Sequence, residues 1–178
     1  MKTLTDQLSM YAKYHRDPRN IATHFIGIPM IVFAITVLLA RPEFVLFGFA
    51  LTPSHLLVCA ASVYYLMLSV PLAVLMTALF SVCLYFSQGI AASSTAVWLA
   101  WGVGLFVVGW VFQFVGHFYE GKKPAFVDDL TGLLIGPLFV VCEFLFMIGV
   151  MSGTKKVVEA EAGVVEHQTG PQSKAQHN

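Results

Sequence analysis

Six polar side chains stand in a chain that is otherwise strongly apolar, and their spacing sorts them into two groups. In "YHRDPRNIATHFIGIP", residues 14 to 29, Asn20 and His24 are four apart and so share one face of a helix. In "QFVGHFYEGKKPAFVDD", Gln113, His117 and Glu120 follow at i, i+4 and i+7, again on one face. His15 precedes the first group on a separate short segment. Neutral imidazole is the commonest side-chain ligand of first-row metals, and two or three histidines with open positions suit iron, zinc or manganese. Asn20, Gln113 and Glu120 could then supply hydrogen bonds that fix the imidazole tautomers. Each residue also has a plainer use. A histidine can be a polar anchor at a membrane boundary, Asn20 a helix N-cap, and Glu120, beside Lys122 and Lys123, part of a solvated turn. Two histidine-plus-amide groups at matching depth favour the metal site.

The elements that must position these residues are membrane helices. Hydrophobic residues make up 57% of the 178 and charged ones 11%, less than half the ~25% of a soluble domain. Between Glu43 and Glu120 there is no Asp, Glu, Lys or Arg, a run far longer than the ~20 residues of one span. The formal net charge is zero, which removes the electrostatic basis for nucleic-acid binding. Cys59, Cys83 and Cys142 are odd in number, lack metal-type spacing and lie in apolar runs, so they read as small buried hydrophobes.

Leu4, Leu8, Tyr11 and His15 align on one face of a short interfacial helix, which Asp17-Pro18 breaks. This polar leader is not a cleavable signal and is expected to stay in the mature protein. The first span is expected from Ile21 to about Leu39 with Asn20 as N-cap, and Phe44 to Ala50 is too short to cross. Ser54 to Gln88 would make a helix of roughly 52 Å, too long for one crossing, and is split at Ser69-Val70-Pro71. The fourth span runs from Ala96 to Gly116, with Gly102, Gly104, Gly109 and Gly116 available for close helix approach. The last apolar run, Leu130 to Met151, is interrupted at Gly136-Pro137 and either spans or dips in and returns. Its Glu143 must be paired, protonated or solvated in a cavity. The fold class is thus an all-α polytopic bundle: about four full spans, an N-terminal interfacial helix and a C-terminal broken helix. It forms one membrane-embedded domain over 1–152, with a polar, disordered tail over 153–178.

Four crossings return the chain to the surface it started from, so the two histidine groups meet there; three or five would separate them by the ~30 Å hydrocarbon core. Lys2, Lys13, Arg16 and Arg19 before the first span, and Lys122 and Lys123 after the fourth, place both ends on the cytoplasmic side. The same parity puts His55 on the opposite surface as a boundary residue, and His167 and His177 fall in the tail as inert positions. No nucleophile elbow, P-loop or dinucleotide fingerprint occurs in a supporting context.

The pairing of "YHRDPRNIATHFIGIP" with "QFVGHFYEGKKPA" about ninety residues later resembles the Mpo1-like family of small multi-span membrane proteins, over Tyr11 to about Phe146. The resemblance implies an iron(II)-dependent dioxygenase that carries out α-oxidation of 2-hydroxy fatty acids, giving acids one carbon shorter. It implies His15, His24 and His117 as catalytic metal ligands, with Asn20, Gln113 and Glu120 in support. Asp128 and Asp129 depart from the family's pattern; either is a conceivable fourth ligand, and neither is chosen. The implied partners are the 2-hydroxy fatty acid, dioxygen and membrane lipid, and the implied location is the inner membrane of a bacterium or the endoplasmic reticulum of a eukaryote. Two other functions use the same residues. One is a metal-dependent lipid hydrolase or hydroxylase; the other is a membrane scaffold or lipid-binding protein whose histidines only anchor helix ends. Acyl length, metal count and oligomeric state lie beyond the sequence.

Overall fold

The computed structural model describes residues 2–165, so His167 and His177 lie outside it. Helix α1 (Leu4–Ala12) starts in a capping box, with the Thr3 side chain accepting from Asp6 N and the Asp6 carboxylate accepting from Thr3 N. A tight turn through His15 leads into α2 (Pro18–Leu39). This helix begins three residues before the expected start, because Asp17 rather than Asn20 is the N-cap. The Asp17 carboxylate accepts from Arg19 N, and Pro18 at the first helical position gives up no hydrogen bond there. Asn20 is thereby moved inside the first turn and fully buried.

The short apolar stretch after α2 forms a two-stranded antiparallel hairpin, β1 (Phe44–Leu46) and β2 (Phe49–Leu51), turning at Phe47 and Gly48, both with positive φ. Helices α3 (Pro53–Leu68) and α4 (Val70–Ala91) follow, hinged at the extended Ser69 as the proline placement predicts. A further continuous helix covers Thr95–Glu120: α5 (Thr95–Leu99), a π-helical turn (Ala100–Gly104) and α6 (Leu105–Glu120). Among the described residues, three helices are long and apolar enough to cross a membrane: α2, α4 and Thr95–Glu120. Helix α3, 16 residues, reaches only ~24 Å. The fold is an all-α membrane bundle with one small hairpin.

Helices α2 and α6 form the central seam, and glycines set how closely they approach. A Cβ on Gly109 would lie 2.7 Å from Ile31 Cγ1 and 2.9 Å from Gly27 O, while one on Gly116 would strike Thr23 and Asn20. Gly102 fits against Leu38. Gly104, expected to serve the same purpose, faces open space.

Helix α7 (Gly132–Met147) and α8 (Ser152–Ala162) are bent by 115° to each other. Contacts along α7 stay at the histidine end of the bundle: Leu134 O accepts from Tyr65 near the end of α3, Phe139 packs on Tyr11, and Glu143 pairs with Arg16. Helix α8 then packs against α1 with Val158 buried, and Gly163 O accepts from Arg16. The last apolar run is therefore a sharply bent helix pair, a broken span or a re-entrant loop, whose named contacts lie at the histidine end. Residues 153–162, expected to open a disordered tail, are helical because the face carrying Val158 finds an apolar bed.

Candidate metal centre

The turn at Pro18 folds α1 back on the start of α2, so that His15 and His24 face each other. His15 is fully buried and lies flat on the Tyr11 ring, with centroids 4.2 Å apart and planes 5° from parallel. His24 is one and a half turns into α2, and His117 lies in the last turn of α6. The ligand nitrogens of the three histidines all fall within 4.8 Å of one another. All three side chains are buried.

The tautomers follow from the backbone. His15 Nδ1 lies 2.8 Å from Tyr11 O, and His24 Nδ1 lies 2.8 Å from Asn20 O. A carbonyl oxygen can only accept, so each Nδ1 carries its hydrogen and each Nε2 presents a lone pair. Yet the two Nε2 atoms are 3.0 Å apart. Lone pairs held face to face at that distance repel unless a cation sits between them. Two nitrogens bound at ~2.1 Å to one ion, at right angles, lie ~3.0 Å from each other, so the spacing fits a shared metal. His117 supports the same conclusion, since its Nδ1 is buried with no hydrogen-bond partner among the described residues. Burial, reinforced by the adjacent His24, holds the His15 imidazole well below its usual range, which keeps it neutral and able to ligate. The donor set therefore fits a first-row metal.

The three supporting residues take different places. Glu120 does not touch an imidazole. Its carboxylate, 4% exposed, accepts from Arg16 N at 3.0 and 2.9 Å, from Asp17 N at 2.8 Å and from Asn20 Nδ2 at 3.1 Å. It staples the His15 turn to the end of α6. Asn20 adds a second tie, from its Nδ2 to Tyr14 O, and its main-chain oxygen, not its side chain, orients His24. Gln113 lines a cavity beside His24 and His117, and its buried Nε2 has no hydrogen-bond partner among the described residues. Asp128 and Asp129 are engaged elsewhere, with Lys123 and Tyr14 and with Lys2 and Thr131.

Tyr11 is the site residue that the spacing could have shown and did not. It stands near the end of α1, four before His15 in the sequence, and gives that histidine both a stacking surface and a hydrogen-bond acceptor. Arg16 was counted only as a topogenic charge, whereas its guanidinium lies 3.6 Å from the Glu143 carboxylate, with both side chains 12% exposed. That ion pair offsets part of the cost of burying Glu143. His55, by contrast, accepts from Thr52 N at the start of α3 and has no part in the centre.

Residues 1–148 match the family model described as "2-hydroxy-palmitic acid dioxygenase Mpo1-like". The chain is 33% identical over 160 residues to the 2-hydroxy-palmitic acid dioxygenase MPO1 of Saccharomyces cerevisiae, an alignment covering 88% of this chain and 87% of the yeast protein. No solved structure matches it.

Proposed function

The chain belongs to the Mpo1-like family, and from that premise we propose that it is an iron(II)-dependent dioxygenase shortening 2-hydroxy fatty acids by one carbon. The observation that carries the metal part is the pair of Nε2 lone pairs 3.0 Å apart, with His117 completing the donor set. Iron(II) bound there would supply the one-electron chemistry that dioxygen requires.

The rest of the work falls to the chain. His15, His24 and His117 would hold the ion, and the cavity beside His24 and His117 gives substrate a place next to them. The Tyr11 and Asn20 carbonyls keep the first two imidazoles in the ligating tautomer. Glu120 keeps the His15 turn docked on α6. The acid head meets this centre at the membrane surface while the acyl tail stays among the helices, so binding needs no extraction from lipid. The overall change balances with dioxygen alone: a 2-hydroxy acid and O2 give the acid one carbon shorter, carbon dioxide and water. No separate reductant is required. Lys2, Lys13, Arg16, Arg19, Lys122 and Lys123 flank the centre in sequence, and Lys122 Nζ donates to Lys13 O, which supports a cytoplasmic site.

The test is metal content and oxygen uptake of the detergent-purified protein with 2-hydroxypalmitate. Stoichiometric iron with oxygen-dependent formation of the acid one carbon shorter is expected. Tightly held zinc without oxygen consumption would replace this function by a hydrolytic one, and no bound metal in the wild-type protein would leave a scaffold.

A further inference from the structure

A cavity of about 280 Å³ begins at His24, Gln113 and His117 and continues between α2, α6 and α7 to Ile35 and Phe106. That volume is near the lower end of the ~300–1,000 Å³ of small-molecule sites. From His24 to Ile35 the helix rises roughly 16 Å, so the cavity runs from the histidine end toward the middle of the bundle. Its polar groups gather at the histidine end, while Ile28, Ile31, Val32, Ile35 and Phe106 line the remainder. A cavity that is apolar over most of its lining, with its polar groups at one end, is complementary to a single-chain amphiphile.

Gln113 stands at that polar end. The residue is 5% exposed, and its Nε2 is buried without a hydrogen-bond partner among the described residues. Buried donors are nearly always satisfied, and the exceptions point to a partner supplied from outside the chain. The room for this amide comes from Gly27, since a Cβ there would press directly on Gln113 Nε2. The terminal torsion of glutamine is soft, so Nε2 can turn toward an acceptor in the cavity.

We propose that this cavity is the acyl-chain site and that Gln113 donates a hydrogen bond to an oxygen of the acid headgroup, with Ile35 and Phe106 closing the far end. The identity of the headgroup rests on the function proposed above. The chain would lie parallel to the surrounding lipid tails, its head at the three histidines. Gln113 is then a substrate-contacting residue, and Phe106 sets chain length.

The experiment uses the full chain with Trp98 and Trp101 changed to Phe, so that Trp110, in the cavity wall, is the remaining tryptophan. A 2-hydroxy fatty acid brominated in mid-chain is titrated while Trp110 fluorescence is followed. Saturable quenching is expected. Q113L should weaken binding about tenfold, the equivalent of ~1.4 kcal/mol, with iron content unchanged. Q113E, which keeps the shape but sets a carboxylate against the acid, should weaken it at least as much. F106A should shift the preferred chain to longer acids. Absence of quenching, wild-type affinity in both Gln113 variants, or loss of iron in step with affinity would overturn the proposal. The two failures are separable: quenching and its loss in Q113L without oxygen uptake by the wild type would sink the activity alone. Oxygen uptake with unchanged KM in Q113L and Q113E would sink this site alone.

Discussion

Replacing Glu120 by alanine should release the turn that carries His15 while leaving His24 and His117 on their helices. The carboxylate accepts from two main-chain N–H groups, Arg16 N and Asp17 N at 2.8 to 3.0 Å, and from Asn20 Nδ2 at 3.1 Å. A hydrogen bond to a charged acceptor contributes ~1.5–3 kcal/mol, and these three share one small carboxylate, so their sum is less than additive. E120A leaves two main-chain N–H groups and one amide donor unsatisfied at ~1–3 kcal/mol each, so with partial relaxation the expected loss is ~3–5 kcal/mol. E120Q should lose about half of that, ~1.5–3 kcal/mol, because one oxygen still accepts while the new NH2 group meets donors already facing it. The effect on the metal follows from geometry. Arg16 is the residue after His15, so an undocked turn leaves a two-histidine site, and metal affinity should fall ~10–100-fold, as for other outer contacts of metal sites. Thermal unfolding of metal-free protein in detergent reads the first quantity, and competition with a chelator of known affinity reads the second. E120A protein with wild-type iron affinity would refute the staple, even if its stability fell.

Further outcomes test other parts of the structure. H24L removes one of two lone pairs that confront each other at 3.0 Å, so the metal-free variant should melt no lower than metal-free wild type, although iron should no longer raise its melting temperature. R16M strands the buried Glu143 carboxylate and should cost ~3–5 kcal/mol, whereas adding E143L should restore most of it; additive losses in the double-mutant cycle would show that the pair is not coupled. Hydrogen bonds first from Lys123 and then from Tyr14 hold the Asp128 carboxyl below its ordinary value of 3.8. Its folded pKa is depressed, so this clasp on the loop after α6 is present above pH 3.8 and is lost as pH falls through the lower folded value. An acid-active protease should therefore cut that loop faster in D128N than in wild type at mildly acid pH, and the two should converge in strong acid.

Much of the fold was readable along the chain because lipid imposes one-dimensional rules. The charge-free stretch from Glu43 to Glu120 requires membrane helices, and Pro18 and Pro71 mark where helices restart; where four full spans are expected, three helices among the described residues have spanning length and α3 is shorter. Helical spacing likewise put Gln113, His117 and Glu120 on one face. These inferences need only distances along the chain and the thickness of a bilayer.

The assembly of the centre depends on three-dimensional contacts that no spacing encodes. Taken as a fourth member of the α1 stripe, His15 would point with Leu4, Leu8 and Tyr11; α1 instead ends at Ala12, and the turn swings the imidazole onto Tyr11 and toward His24. Asn20 has the composition of a cap, yet Asp17 with Pro18 is the better helix start, and burial against Gly116 gives the asparagine a different task. Glu120 reads as a solvated residue because two lysines follow it, and Lys122 Nζ does lie 3.9 Å away, yet the carboxylate is buried and accepts from two main-chain N–H groups and the Asn20 amide about a hundred residues away. Backbone donors and acceptors have no residue type, so a sequence cannot announce which side chains they will hold. Thus the sequence by itself determined the membrane class and offered three histidines as candidates; the tertiary structure decided that they meet, with two imidazole lone pairs face to face, what fixes their tautomers, and where a buried amide stands without a partner among the described residues.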